Sequence, residues 1–291
     1  AVDSYQELAA LASIVTRFIG EAGGTPAVPA LTPADFAALG LSGVTEANLA
    51  EVLAAIRASG ADGSGIDSLS EMRSIVDGAA AQSRLDAIDR ISRYDGTSAT
   101  VVPTLNDFAN AGVTGVTTNN LGSINTAFAE IGLSESNATL EIQDIVSAYV
   151  AILNGADGVG DNDIVLTQAQ YVAMGLTRID TAAKSGLLNG IFDKFALVKV
   201  DTYPELQAAS DVVADIFLVA IGGQAQPELS IERLTSIGIT GVTTDNLALV
   251  VQAIAYSADD TSGVDSLSDI QSIVTQVRAD QANALGVISG Y

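Results

Sequence analysis

Apolar residues recur every three or four positions along most of this chain, which is the spacing of one face of an α-helix. A clear example is the stripe formed by Leu49, Val52, Leu53 and Ile56. No window of four or more residues alternates apolar and polar positions between two turn signals, so the pattern predicts no β-sheet. The predicted fold class is therefore all-α, with about 13 helices.

The helical segments form a repeat that occurs four times. Each repeat contains a glycine, with a large apolar residue four positions before it and Thr or Ser eight positions before it. The glycines are Gly40, Gly112, Gly175 and Gly238. The apolar residues are Phe36, Phe108, Tyr171 and Leu234, and the hydroxyl residues are Thr32, Thr104, Thr167 and Ser230. Three columns that agree in four places indicate a true internal repeat.

One repeat is predicted to contain three helices. In the first repeat, Thr32 caps a short helix that starts at Pro33, where a missing N–H costs nothing. Gly40 ends this helix in a left-handed conformation. Thr45 is predicted to cap a second helix that runs to about Ser59, and a long third helix follows.

The third helices each begin with a capping box, in which a hydroxyl residue and an acidic residue three positions later bond to each other's backbone N–H. These pairs are Ser4 with Glu7, Ser68 with Glu71, Thr202 with Glu205, and Ser266 with Asp269, and the second repeat keeps Glu141 with Asn137 as its candidate cap. Because five such helices accompany four glycine corners, we expect the chain to open on the last helix of a preceding repeat. The predicted divisions are 1–30 for that helix and its junction, then repeats at 31–102, 103–165, 166–228 and 229–291.

The repeats could be separate small bundles or could share one continuous core. Their junctions are short and a three-helix unit of this size is near the lower limit of independent stability. Both facts favour three-helix repeats stacked into an elongated, solenoid-like array. On this interpretation the N-terminal helix packs on repeat 1, and the helix from Leu267 onward exposes an uncovered face.

Composition excludes several classes of function. The chain of 291 residues has 35 Asp plus Glu against 12 Lys plus Arg, a net charge of −23, and no Cys or His. Catalytic triads that use His, zinc fingers and Cys redox sites are therefore excluded, and so strong a negative charge argues against a nucleic-acid partner. No apolar run approaches the roughly 18 residues of a membrane span. An acidic, Lys-poor chain without disulfides favours an extracellular or bacterial cell-surface location.

Three carboxylates lie close together in one glycine-rich loop, at Asp157, Asp161 and Asp163. Ca²⁺ prefers six to eight oxygen ligands of this kind. The loop does not fit an EF-hand, because Val159 and Gln168 stand where that motif needs ligands. An irregular calcium site and a solvated acidic turn both remain open, and the turn is favoured; no other cofactor is expected.

Other acidic and glycine-rich positions have a structural explanation. Asp67 and Asp265 precede the capping hydroxyls of third helices, where a negative charge favours the helix dipole. No phosphate-binding glycine motif or G-x-S-x-G elbow occurs in the chain. The remaining carboxylates fall at repeat-equivalent caps, rather than converging from different elements. We therefore expect the chain not to be an enzyme.

The corner sequences resemble a known type of repeat. Gly241-Val-Thr-Thr-Asp-Asn-Leu247, Gly115-Val-Thr-Thr-Asn-Asn-Leu121 and Gly43-Val-Thr-Glu-Ala-Asn-Leu49 are similar to tandem repeats of very large adhesin-like surface and secreted proteins of Gram-negative bacteria. The likeness covers nearly the whole chain. Repeat 3 departs most, with Arg178, Asp180 and Lys184 in place of Gly, Thr and Leu. The resemblance implies stacked modules and no catalytic residues.

The function predicted from these observations is that of a non-enzymatic structural or adhesive repeat module of an extracellular bacterial surface protein. One alternative is a subunit of a self-assembling surface layer or filament. A second alternative, of a different class, is a ligand-binding repeat domain. The expected partners are other repeats of the same protein or copies of the chain itself, without nucleic acid and without membrane insertion.

Overall fold

The structure, a computed structural model, describes residues 4–60, 65–131, 138–257 and 262–289. Within these ranges the chain forms 13 α-helices and one 3-10 turn, at Leu197–Lys199. The same ranges contain no β-strand, and their single bridge joins Asp157 to Ala196. The prediction of an all-α fold with about 13 helices is confirmed.

The helices fall into three classes that alternate along the chain. The short helices, each of one to two turns, are α2 (Pro33–Ala38), α5 (Leu105–Asn110), α8 (Gln168–Ala173) and α11 (Ile231–Ser236). The second helices are α3 (Leu49–Ala58), α6 (Leu121–Glu130), α9 (Ala182–Phe192) and α12 (Leu247–Ala255). The long helices are α1 (Tyr5–Ala22), α4 (Leu69–Ser92), α7 (Ala138–Gly155), α10 (Tyr203–Ala220) and α13 (Leu267–Ser289).

The chain divides into two compact units. Unit 1 comprises residues 1–114 with 134–139, and unit 2 comprises residues 115–133 with 140–291. This division passes through repeat 2, between its short and its second helix. It is coarser than the four-repeat organisation, whose boundaries stay a prediction.

The short helices form where local capping and one buried anchor act together. Thr104 accepts a hydrogen bond from the backbone N–H of Asp107, whose carboxylate accepts one from the N–H of Thr104. This reciprocal pair satisfies two backbone donors that a helix start leaves free. The predicted anchor column is buried in all four repeats: Phe36, Phe108, Tyr171 and Leu234 are at most 1 % exposed.

The corner after each short helix depends on a glycine with positive φ. At Gly40 and Gly112 the φ angles are 72° and 79°, in the left-handed region that favours glycine. After the corner, the Asn48 amide accepts from the N–H of Thr45 and donates to the carbonyl of Gly43. Helix α3 starts at Leu49 with Asn48 as its N-cap, so the prediction that Thr45 caps it was wrong by three residues.

The core of unit 1 joins the N-terminal helix to the first repeat. Phe18 of α1 lies edge-on to Phe36 of α2, with ring centroids 5.4 Å apart. Both rings belong to one cluster with Val52 and Ile56 of α3. The prediction that α1 packs on repeat 1 is therefore confirmed for its C-terminal half. In its N-terminal half Leu8 is 58 % exposed, although the helical pattern placed it on the inner face.

The core of unit 2 is built around α10. Twelve of its residues are buried, on nearly all sides of the helix. Helix α10 packs against α9, α11 and α12, and also against α6. Next to it, Tyr171 of α8 and Phe192 of α9 lie with ring centroids 6.3 Å apart. A helix that is apolar on most of its circumference is one that several neighbours cover.

The long helices begin at the predicted capping boxes. Ser4 with Glu7, Ser68 with Glu71, and Thr202 with Glu205 each form the reciprocal pair, and the Ser266 hydroxyl accepts from the N–H of Asp269. The candidate cap Asn137 lies outside the described residues. One such cap contributes about 1 kcal/mol to stability.

Candidate functional site

The acidic loop singled out in the sequence lies in unit 2, beside the end of α9. The three carboxylates of Asp157, Asp161 and Asp163 are all exposed. The Asp157 carboxylate accepts a hydrogen bond from the N–H of Val159, 2.8 Å away, which closes a local turn. The loop is thus folded back on itself at its first acidic residue.

A fourth carboxylate, Asp193, holds the rest of this loop. Asp193 is the C-cap of α9 and is 2 % exposed. Its two carboxylate oxygens accept from the N–H groups of Asn162 and Asp163 at 2.8 and 2.9 Å. Its backbone carbonyl accepts from the N–H of Gly160. Two charge-assisted hydrogen bonds from backbone N–H groups therefore satisfy the buried negative charge of Asp193.

The loop is not preassembled as a metal site. In the parts of the chain that the structure describes, no group of three or more His, Cys, Asp or Glu side chains is placed to hold a metal ion. Asp157, Asp161 and Asp163 are brought into one loop, but their carboxylates do not converge. Calcium binding at this loop stays a prediction.

The loops that precede α4 and α13 contain Asp67 and Asp265, which the sequence places next to capping hydroxyls. Asp67 is exposed, and the neighbouring Glu71 carboxyl raises the pKa of Asp67, first through a hydrogen bond between the two side chains. Glu71 also closes the capping box of α4, so this pair belongs to the helix start. Asp62 and Asp260, at the other ends of these loops, lie outside the described residues.

An acidic turn that sequence analysis missed lies near the end of repeat 1. The Asp95 carboxylate accepts hydrogen bonds from the hydroxyls of Thr97 and Thr100, at 2.7 and 2.6 Å, and from the N–H of Thr97. These donors stabilise the ionised form, first the Thr100 hydroxyl, and lower the pKa of Asp95 to about 2. The signal in the sequence was the Asp-Gly-Thr run, which is typical of such turns.

A recurrent ion pair connects each of several long helices to the short helix that follows. In unit 1 Arg17 of α1 binds Asp35 of α2 at 2.6 Å, and Arg90 of α4 binds Asp107 of α5. Asp35 and Asp107 are the third residues of their helices, so one carboxylate serves both the capping box and the ion pair. The Arg17 guanidinium, above all through its hydrogen bond, lowers the pKa of Asp35.

In repeat 4 the same contact has the opposite polarity. Asp215 of α10 supplies the carboxylate and Arg233, the third residue of α11, supplies the guanidinium, 2.5 Å apart. Asp215 is 1 % exposed and also binds Arg178, the residue that replaces glycine in the repeat 3 corner. Arg178 reaches Asp211 at 3.1 Å as well. Two guanidiniums thus compensate one buried carboxylate.

Repeat 3 has no charged version of this contact. Gln170 of α8 occupies the third position, and α7 contains no charged residue after Asp144. A different network stabilises this place. The side-chain amide of Asn189 bonds to both backbone groups of Leu166 and accepts from the Tyr171 hydroxyl at 2.7 Å. Burial raises the pKa of Tyr171, so this hydroxyl stays a donor.

The corner of repeat 3 is rebuilt around a lysine. The Asn that closes the other corners is replaced by Ala183. Instead, the Lys184 ammonium donates to the carbonyl of Arg178 at 3.1 Å and binds the Asp180 carboxylate at 2.5 Å. This carbonyl is the one that Asn120 and its equivalents bind elsewhere. The substitutions at Asp180, Ala183 and Lys184 in repeat 3 therefore form one compensated set.

Several open grooves lie in unit 2, and sequence analysis predicted none of them. Two of these grooves border α13. The first, of about 650 Å³, lies between the end of α9 and the first half of α13. It is lined about equally by polar and apolar groups. The polar side chains include Lys194, Gln271, Ser272, Thr275 and Gln276, and the apolar ones are Phe195, Ile237, Ile239 and Leu267. Gln271 holds the corner of repeat 4 by bonding both backbone groups of Thr240.

The second groove, of about 460 Å³, lies between α12 and α13. Its α12 side presents Leu249 and Tyr256, which are 43 % and 80 % exposed, and its α13 side includes Val277 and Ala284. Asp280 is the charged residue that lines it. This groove is therefore much less polar than the first.

No helix within the described ranges is long and apolar enough to cross a membrane. The comparisons with known proteins find no match among protein-family models, curated proteins or solved structures. The functional interpretation therefore depends on the chain's own geometry.

Proposed function

We propose that this chain is a non-enzymatic structural module, made of tandem helical repeats, of an extracellular bacterial surface protein. The main support is that its polar side chains are used, repeat after repeat, in the same architectural contacts. Caps and glycine corners recur in all four repeats, and ion pairs between helices occupy equivalent positions in three of them. This use of charge and hydroxyl groups is what a spacer or adhesive stalk requires.

The proposal includes a solenoid-like stacking of the repeats, and the observation that carries it is a packing rule seen within each unit. Long helices pack against the next repeat: α1 against α3, α4 against α5, and α10 against α11 and α12. Second helices also pack against the next repeat's long helix, α6 against α10 and α9 against α13. Repeats that contact their nearest neighbours through recurring interfaces are typical of solenoids.

Native-state hydrogen exchange on the full chain tests this stacking. Val250 of α12 is fully buried, and Val250→Ala creates a cavity in repeat 4. If neighbouring repeats share a core, amide exchange should accelerate in α10 of repeat 3 as well as in α12. Val165→Ala, at a 77 % exposed position, serves as the control. Faster exchange confined to repeat 4 would mean that the repeats are independent, and the stacking proposal would fail.

The location and the adhesive role are tested separately. Antibodies against the chain should label intact, unpermeabilised cells of its source, because a surface module is accessible without lysis. Beads coated with the chain should then be compared with beads coated with an unrelated acidic protein for adhesion to cells and polymers. Labelling that needs permeabilisation would contradict the surface location.

A second candidate function, ligand binding, is favoured by the polar groove beside α13. Hydroxyl and amide groups beside an aromatic side chain are the groups with which proteins bind polar, uncharged ligands such as saccharides. A glycan array screened with the chain tests this function. Gln276→Ala and Phe195→Ala should abolish any specific signal, while Gln82→Ala on the exposed face of α4 should not. A featureless array would leave the structural module as the sole proposal.

A further inference from the structure

The two ends of the described chain each present an incomplete version of the packing that the repeats use internally. At the N-terminal end, α1 is a long helix with a bare apolar face. Its Leu8 belongs to a column with Met72, Ile142, Leu206 and Ile270, and those four are at most 5 % exposed. Leu8 is 58 % exposed, and the preceding Tyr5 is 85 % exposed. This half of α1 therefore has the sequence of a covered helix, but no element in the described parts of the chain covers it.

Helix α10 shows what covers such a face. Helices α1 and α10 have equal length and align without a gap, with Tyr5 matching Tyr203 and Leu8 matching Leu206. Tyr203 and Leu206 are 5 % and 0 % exposed. The N–H of Tyr203 donates to the Thr126 hydroxyl of α6 at 2.8 Å. A second helix from the preceding repeat is therefore one of the elements against which this type of long helix packs.

At the other end, no long helix of a further repeat lies against α12 among the described residues. Helices α6 and α9 have that partner, in α10 and α13 respectively. The outer face of α12 carries Leu249 and Tyr256, where α6 has Ser123 and Glu130 at the equivalent positions. Repeat 4 has therefore replaced polar residues with large apolar ones on the face where a long helix would lie, and these residues line the groove with α13.

We propose that α1 of one copy docks into the α12–α13 groove of a second copy, so that copies associate head to tail. This inference rests on the proposed structural function and names its partner. The low charge of both surfaces also favours contact between the N-terminal half of α1 and the α12–α13 groove. Residues 4–16 carry one charged side chain, Glu7, and Asp280 is the charged residue that lines the groove, in a chain with a net charge of −23. Self-repulsion between copies is weakest where such patches meet.

A head-to-tail contact uses two different surfaces, so an open assembly of copies keeps a free α1 face at one end and a free groove at the other. Such heterologous contacts form linear chains of copies, or rings if the geometry closes. Association should strengthen with added salt, because salt screens the repulsion between acidic chains. These properties distinguish the proposed contact from a symmetric dimer.

Two single substitutions on the full chain test the proposal by sedimentation velocity at about 0.5 M salt, where the Debye length falls below about 5 Å. Leu8→Asp places a charge in the docking helix, and Tyr256→Asp places one in the groove. Each should raise the concentration for half-association by at least about tenfold. Val101→Asp, at a 66 % exposed position in unit 1, should leave association unchanged. Because all three residues are exposed, melting curves should match those of the parent.

Mixing the two variants gives the decisive result. Each variant alone should be monomeric, whereas an equimolar mixture should form dimers and nothing larger, since one intact helix meets one intact groove. Dimers formed by Leu8→Asp alone would indicate a symmetric contact between grooves and would overturn the proposal. A parent chain that stays monomeric up to millimolar concentration would also overturn it. Neither result would affect the hydrogen-exchange test of stacking within the chain.

Discussion

The junctions that precede repeats 1 and 4 make the same contact with opposite charges. In repeat 1 the guanidinium is on the long helix and the carboxylate on the short one, as Arg17 and Asp35. In repeat 4 the carboxylate is on the long helix and the guanidinium on the short one, as Asp215 and Arg233. Each pair is separated by 18 residues, as the residue numbers show, so the two contacts occupy equivalent places.

The guanidinium has a second task that does not depend on which helix supplies it. Arg17 also donates to the backbone carbonyls of Pro29 and Ala30, each at 3.3 Å. In repeat 4 the equivalent carbonyls, those of Pro227 and Glu228, accept from Arg233. In repeats 1 and 4 the segment before the short helix therefore has a guanidinium next to it and a carboxylate opposite. Either the long helix or the short helix can supply this guanidinium.

The two arrangements differ in electrostatic cost. Asp35 lies in the first turn of its helix, where a negative charge is favourable, and it completes the capping box. Arg233 places a positive charge at the same position, which the helix start disfavours. Repeat 4 compensates by burying its carboxylate between two guanidiniums, whereas Asp35 binds one and is 16 % exposed.

Neutralising the carboxylate of each pair, Asp35 or Asp215, should produce the largest difference in stability between the two junctions. Asp215→Asn should lower the free energy of unfolding by about 3–5 kcal/mol, because it removes the partner of two guanidiniums at a buried site. Asp35→Asn should cost about 1.5–3 kcal/mol, since Arg17 keeps its carbonyl acceptors. Denaturant titrations of the two variants measure both values. Equal costs would show that the second guanidinium, Arg178, contributes nothing.

Exchanging the charges within a pair should succeed in repeat 1 and fail in repeat 4. Arg17→Asp with Asp35→Arg reproduces the polarity of repeat 4 and should recover more than half of the roughly 1.5–3 kcal/mol that either single change costs. Asp215→Arg with Arg233→Asp places a new guanidinium beside Arg178, so no recovery is expected. Double-mutant cycles measure the coupling. Recovery in both repeats would show that the pairs are interchangeable.

The rebuilt corner of repeat 3 should depend on its lysine. Lys184→Met removes the donor to the Arg178 carbonyl and should cost about 0.5–1.5 kcal/mol, the net value of one hydrogen bond. Lys199→Met, at an exposed position in the same unit, is the matched control and should have almost no effect. Similar unfolding midpoints for both variants would contradict the role assigned to the ammonium group.

The carboxylate of repeat 1, Asp35, should also make the stability of the chain depend on pH. The pKa of Asp35 in the folded chain lies below its ordinary value of 3.8. Its stabilising contribution is therefore complete above the unfolded pKa and is lost as pH falls through the folded pKa. In thermal melts below about pH 4, Asp35→Asn should lose less stability than the parent does. Parallel pH curves for both proteins would contradict this assignment.

Adding Ca²⁺ should change the stability of the chain less than any of these destabilising substitutions does. The backbone of the loop that contains Asp157 is already held by Asp193, so we expect Ca²⁺ to leave the unfolding temperature within the range of a Mg²⁺ control. A shift specific to Ca²⁺ that disappears in Asp157→Asn would contradict this expectation and would support a calcium site in the loop. Titration calorimetry on the same two proteins gives the affinity directly.

The elements that sequence analysis predicted well are those whose causes lie within a few residues. The caps at Thr104 and Ser68, the left-handed glycine at Gly112 and the buried Phe108 all depend on contacts or spacings inside one helix and its corner. Such local preferences act before any packing and therefore leave a periodic signal. The helix classes and their order followed from that signal.

The sequence by itself determined the helices, most of their caps, the glycine corners and their fourfold recurrence, because each is a short-range effect of side-chain size and hydrogen bonding. Only the tertiary structure decided which charges meet. Arg178 and Asp215 are 37 residues apart in the chain, and Asp193 binds a loop 30 residues before it. Only the tertiary structure also decided that Leu8 and Tyr256 stay exposed, since burial depends on which neighbouring helices are present, and residue spacing carries no record of that.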